Sequence, residues 1–202
     1  MSRGKPKETL HHLSRKPLRD LAAFFQEMQS ASDRACALVA CAALDGQLAD
    51  LLRFHMVPLK PEENERLFYS QNSVFGSLSS KTLAAWALGI ITREEKDNID
   101  HLRQIRNVFA HTVAQLNFEE PLIVDHCRKL IFPFIPKTME GVEYPQNARA
   151  LFAVASQSQL CSLLITMSKL KNKKITKMRT ASRRRNKNRS PHKENRRISE
   201  GV

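Results

Sequence analysis

No apolar run in this chain approaches the ~18 residues of a membrane span. The opening MSRGKPKETLHH has no apolar core of the kind a signal peptide needs. Both absences point to a soluble, cytoplasmic protein without a membrane partner. Cysteine is sparse: Cys36, Cys41, Cys127 and Cys161 stand at irregular spacing inside apolar runs, with no C-x-x-C pair. That excludes a disulfide framework or a zinc site as the organising feature and leaves buried, reduced thiols. No segment alternates polar and apolar residues for long, so no strand is expected. From Lys169 onward there is no Phe, Tyr or Trp, and acidic residues nearly vanish as well.

That last imbalance locates the charge. The chain of 202 residues has a formal net charge of +13, yet residues 169–202 hold 14 Lys/Arg and 2 Asp/Glu, a balance of +12. Residues 1–168 hold the remaining 19 basic and 18 acidic residues, a balance of +1. Any electrostatic argument therefore concerns the C-terminal segment alone. The chain divides into a flexible leader (1–16), a helical domain (17–168) and a basic low-complexity tail (169–202) expected to lack order of its own.

Within the domain the periodicity is helical throughout. Pro17 suits a first turn, and Leu18, Leu21, Ala22, Phe25 and Met28 make an amphipathic helix. A long helix over Asp33–His55, capped by Ser30 or Ser32, is apolar nearly all round in ACALVACAAL and is the expected central core helix. Gly46 interrupts it at modest cost or admits a close neighbour. Pro58 and Pro61 end it, and Glu62–Tyr69 forms a short helix turning Leu67 and Phe68 inward. The Ser70–Ser80 loop leads to a helix over Lys81–Leu88, with Trp86 in the core and Gly89 as C-cap. That loop lacks phosphate-loop spacing, so helix capping is the reading preferred over anion binding. Further helices are expected over Glu120–Ile131 and from Pro145, with a loop over Phe132–Tyr144. The class is all-α, a single bundle of six or seven helices.

The stretch Thr92–Thr112 organises the rest. Thr92 and Glu95 have capping-box spacing. Ile99, Leu102, Ile105 and Phe109 fall on one helical face. The stretch closes on Arg106-Asn107-Val108-Phe109-Ala110-His111, the cluster best suited to chemistry.

Three pieces in order are Leu67-Phe68 with its loop, Gly76-Ser77-Leu78-Ser79-Ser80-Lys81 leading to Ala87-Leu88-Gly89-Ile90-Ile91, and the Arg-Asn-x-x-Ala-His ending. Together they resemble the mannitol operon repressor family of bacterial proteins, over roughly Leu18–Leu170. The resemblance implies a helical bundle and a role in transcription regulation. The domain shows no helix-turn-helix with a basic, exposed second helix. Being near-neutral, it is a poor sequence-independent DNA binder. Such a regulator would act through a protein partner or through the tail. No cofactor is implied.

Arg106, Asn107 and His111 also resemble the R-x4-H signature of the HEPN superfamily, many members of which cleave RNA without metal. The resemblance implies a site built where two copies meet, hence a homodimer. On this alternative His111 would exchange a proton with the 2′-hydroxyl and Arg106 would hold the phosphate. Arg106 and His111 lie about 140° apart around a helix. The structural alternative is that Asn107 and His111 tie the helix end to the next loop while Arg106 pairs with Asp100 or Glu119. His11-His12, in the leader, reads as surface rather than metal site.

The tail reads as a polyanion-binding segment, with Lys171, Lys173, Lys174, Lys177, Arg179, Arg183, Arg184, Arg185, Lys187 and Arg189 as the nucleic-acid contacts. Its lack of aromatic residues argues against a stacking platform for single strands.

Overall fold

The computed structural model of the chain describes residues 23–70, 72–133 and 146–188, with side chains as far as residue 172. Among the described residues there are seven helices and no strand: α1 (23–30), α2 (Asp33–His55), α3 (Pro61–Phe68), α4 (Leu78–Ala87), α5 (Arg93–His111), α6 (Pro121–Cys127) and α7 (Ala148–Asn188). The class is all-α, as the periodicity implies. The leader, the start of the first helix, His11-His12, most of the Phe132–Tyr144 loop and Arg189 lie outside the described residues. The chain divides within α7 into two compact units, Met1–Leu163 and Leu164–Val202.

α2 is the central helix of the first unit and packs on α4 and α5. The Ser32 hydroxyl caps it by accepting the Ala35 N–H at 3.3 Å. Cys36, Ala40, Leu44, Leu48, Leu51 and Leu52 are buried along its length. By length and composition, α2 and residues Ala148–Asn172 could each cross a membrane, although neither holds an uninterrupted apolar run of that length. Half of the α2 stretch is buried inside the bundle, which is what a core helix requires. Gly46 has nothing within 4 Å of where a Cβ would stand, so no neighbour among the described residues exploits its smallness.

α5 packs on α2, α4 and α6. Its start is the expected capping box: the Thr92 hydroxyl accepts the Glu95 N–H at 3.1 Å, and the Glu95 carboxylate accepts the Thr92 N–H at 2.9 Å. Ile99, Leu102, Ile105 and Phe109 are all fully buried. Phe109 meets Phe118, and Phe118 meets Phe152 of α7, with ring centroids 5.0 and 5.2 Å apart.

Boundaries differ from expectation near the loops, and α7 begins at Ala148 rather than Pro145. α4 begins three residues early, at Leu78, because Ser77 and Ser80 cap it reciprocally. It ends on Gly89 at φ +67°, the left-handed conformation glycine adopts without strain. α6 stops at Cys127 rather than Ile131. Lys129 and Leu130 close tighter i→i−3 bonds onto His126 and Cys127, and the buried Asn98 carboxamide accepts the Ile131 N–H at 2.9 Å, drawing the chain off the helical path. Trp86 is half-buried rather than a core residue; the Arg93 guanidinium stacks on it at 5.2 Å.

The largest difference is at the C-terminus. Residues 169–188, expected to lack order, continue α7 as far as Asn188. The physical reason is local. No Gly or Pro interrupts the sequence between Pro145 and Pro191, and Lys, Arg, Met, Leu and Ala are all good helix formers. Propagating an existing helix also avoids the cost of a new nucleus.

Polar contacts fix the first unit. The Asp33 carboxylate at the head of α2 accepts the Phe118 N–H at 3.1 Å and pairs with Arg149 of α7. Arg149 also donates to the Met28, Gln29 and Ala31 carbonyls at the end of α1. Between α5 and α7, Asn98 donates to Gln159 at 2.9 Å and the Ser162 hydroxyl donates to Glu95 at 2.5 Å. Arg53 joins α2 to α3 by donating to Asn64 at 2.8 Å and lying 4.4 Å over the Phe68 ring. Lys81 of α4 is 3% exposed, and its ammonium donates to both Asp45 oxygens at 2.8 and 2.7 Å.

Removing one partner of that last pair leaves a buried charge uncompensated. Asp45→Ala is therefore expected to destabilise the chain by about 3 kcal/mol in urea unfolding. Adding Lys81→Met should restore most of the loss. A stability for Asp45→Ala within about 0.5 kcal/mol of wild type would contradict the pairing.

Candidate functional site

Among the described residues, the α5 ending does not bring Arg106 and His111 together. Ile105 and Phe109 turn into the core, and Arg106 beside them is half-buried against the Cys41 thiol of α2. Asn107 is half-buried, and His111 is exposed as the last residue of the helix. Because α5 stays helical to His111, Arg106 and His111 keep their separation of about 140°. The Asn107 and His111 side chains make no hydrogen bond to another described residue.

The task expected of the Asn107–His111 pair is done from elsewhere. Arg34 of α2 donates to the Thr112 carbonyl at 2.8 Å and to the Ala114 carbonyl at 2.9 Å, fixing the chain as it leaves α5. Nor does Arg106 take Asp100, whose carboxylate holds Lys96 at 2.8 Å and Arg103 at 3.4 Å. A cation matched to carbonyls at a helix C-terminus suits both the dipole and the orphan acceptors. Nothing in the local spacing around Arg34 signals this, because its partners lie some 80 residues away.

A second cluster was invisible in the sequence. His101 of α5 and His126 of α6 meet Nδ1 to Nδ1 at 3.1 Å, with ring centroids 5.4 Å apart. One ring must donate and the other accept, so at most one of the two can be an imidazolium while the contact lasts. Both pKa values are lowered. Burial is the main cause for each; Lys129 adds to it at His101, and His101 and then Lys129 add to it at His126. Asp97 and Asp100 at His101, and Asp125 at His126, oppose the shift.

The cysteines are chemically quiet. All four are free, three are buried, and Cys161 is half-buried. Burial pushes the Cys41 and Cys127 thiols up to about 12 and raises Cys36 and Cys161 as well. No group of three or more His, Cys, Asp or Glu among the described residues could hold a metal ion. An open cavity of about 250 Å³ lies between α6 and the start of α7, lined by Phe118, Val124, Arg128 and Leu151 among others.

The basic cluster falls on α7. Lys169 and Lys171 are exposed. Lys173, Lys174, Lys177, Arg179, Arg183, Arg184, Arg185 and Lys187 occupy positions along its helical backbone. Residues 169–188 hold ten Lys/Arg and no Asp/Glu.

No family model and no curated protein matches this chain. Among solved structures, it is similar to a chain in the X-ray structure of the MtlR–HPr complex from Escherichia coli. The two share 16% identity with a TM-score of 0.55, over 71% of this chain and 97% of the other. MtlR is a mannitol operon regulator. At this identity the likeness is one of fold.

The histidine pair gives a pH prediction. Both groups have lower pKa values folded than unfolded, so below the ordinary histidine value of 6.5 the unfolded chain binds more protons. Their contribution is therefore present at neutral pH and lost as pH falls below that value. The melting temperature should drop more steeply between about pH 7.5 and about pH 5.5 for wild type than for the His101→Gln/His126→Gln double variant. Parallel profiles would contradict the pairing.

Proposed function

We propose that this chain is a regulatory protein with two working parts. The helical bundle engages a protein partner, and the basic part of α7 with the residues after it attaches the protein to nucleic acid. The observation that carries the reading is the segregation of charge: +12 over residues 169–202 against +1 over residues 1–168. A near-neutral bundle gains little from phosphate neutralisation, whereas a segment this basic gains a great deal. The partner-binding role draws support from the fold shared with a chain of a protein–protein complex, MtlR–HPr. The contacts assigned to the nucleic acid are Lys171, Lys173, Lys174, Lys177, Arg179, Arg183, Arg184, Arg185, Lys187 and Arg189.

Attachment of this kind is salt-dependent and nearly indifferent to sequence. Engaging ~5 phosphates implies a loss of affinity of ~500-fold between ~50 and ~200 mM salt. Deleting residues 171–202 should weaken binding to mixed-sequence duplex by about 100-fold or more at matched salt and flatten the salt dependence. The bundle's fold is checked by circular dichroism. A truncated protein that binds as tightly as the full chain would refute the assignment.

A further inference from the structure

We propose that residues 169–188 bind double-stranded DNA as a continuous α-helix laid in the major groove. This rests on the reading that the basic segment attaches to nucleic acid, and it specifies the form of that nucleic acid. The first observation is the helix itself. α7 runs unbroken to Asn188, so its last 20 residues make a rod of about 30 Å.

The second observation is where the cations fall along that rod. At ~100° per residue, Lys173, Lys177 and Arg184 share one quarter of the circumference. Lys171, Lys174 and Arg185 fall in the next, Arg179 in the third, and Lys169, Arg183 and Lys187 in the last. A helix resting on a flat anionic surface needs cations on one side only. A helix lying between two phosphate walls uses cations all round, and the major groove supplies such walls.

Dimensions select among nucleic acids. An α-helix is about 10–12 Å across with its side chains, and the B-form major groove is about 12 Å wide. The A-form RNA major groove is deep and narrow and does not admit it. Single strands are bound by stacking bases on aromatic rings, and the segment from Lys169 onward has none. Charge density agrees as well. Ten cations over about 30 Å is about one per 3 Å, facing a duplex with one phosphate charge per ~1.7 Å of axis. In the free helix these like charges repel one another; between phosphates the repulsion is neutralised.

The test separates helix from charge. Thr180→Pro breaks the helix near the middle of the basic segment and leaves every charge in place; Thr180→Ala keeps both. Full-length proteins are titrated with a 20-base-pair DNA duplex, the RNA duplex of the same sequence, and the DNA single strand, at one salt concentration. Wild type and Thr180→Ala should favour the DNA duplex over the other two by about tenfold. In Thr180→Pro the preference should shrink to about twofold or less, with binding to all three retained. Thermal melting confirms that the bundle is intact in each variant. Equal binding of the three ligands by wild type, or an undiminished duplex preference in Thr180→Pro, would overturn the groove proposal while leaving attachment standing. Failure of wild type to bind any of the three would overturn both.

Discussion

The bundle depends on one buried stripe, Ile99, Leu102, Ile105 and Phe109 of α5, sealed between α2, α4 and α6. At ~1.5–3 kcal/mol for each side chain, that stripe contributes ~6–12 kcal/mol, as much as the net stability of a typical domain. Its polar companions make it specific. Glu95 and Asn98 lie on the same buried side of α5 and are tolerable there because Ser162 and Gln159 of α7 meet them. Slide α7 by one residue and two buried polar groups lose their partners. Apolar burial holds the helices together, and these hydrogen bonds select one register.

The same stripe explains why Arg106 and His111 do not meet within the described chain. A helix that commits one side to the core has only the opposite side and its flanks to offer. Arg106 is taken into the flank against α2, beside Cys41, while His111 is carried to the opposite, exposed side. Two residues that share a short motif are thereby separated by the periodicity that makes the helix amphipathic. The chain's other unusual resource, its basicity, sits at the far end of the sequence. Near-balanced charge over residues 1–168 stands against ten Lys/Arg and no Asp/Glu over residues 169–188.

Local rules made much of this legible. The bounds of α2, the Ser32 cap, the Thr92–Glu95 box and the Gly89 terminus all follow from residues within a few positions of one another. What spacing could not show are contacts between distant segments. Lys81 meets Asp45 across 36 positions, His101 meets His126 across 25, and Arg149 meets Asp33 across 116. No periodicity encodes such meetings; they exist only once the helices have packed. Trp86, whose apolar ring suggests the core, is half-exposed instead, with the Arg93 guanidinium over it. At the C-terminus composition and propensity pull in opposite directions. Low apolar content argues against independent order, and α7 nevertheless continues as far as Asn188, where no Gly or Pro breaks it.

The central claim is that nucleic acid is met by the end of α7 and not by the bundle. The most direct measurement is a backbone amide NMR titration of the ¹⁵N-labelled full chain with a short DNA duplex. The account predicts shift changes concentrated in residues 169–188 and beyond, with the amides of α2, α4 and α5 unmoved. Changes centred on Arg106–His111, with residues 169–188 silent, would contradict it and return the α5 ending to the centre of the protein's function.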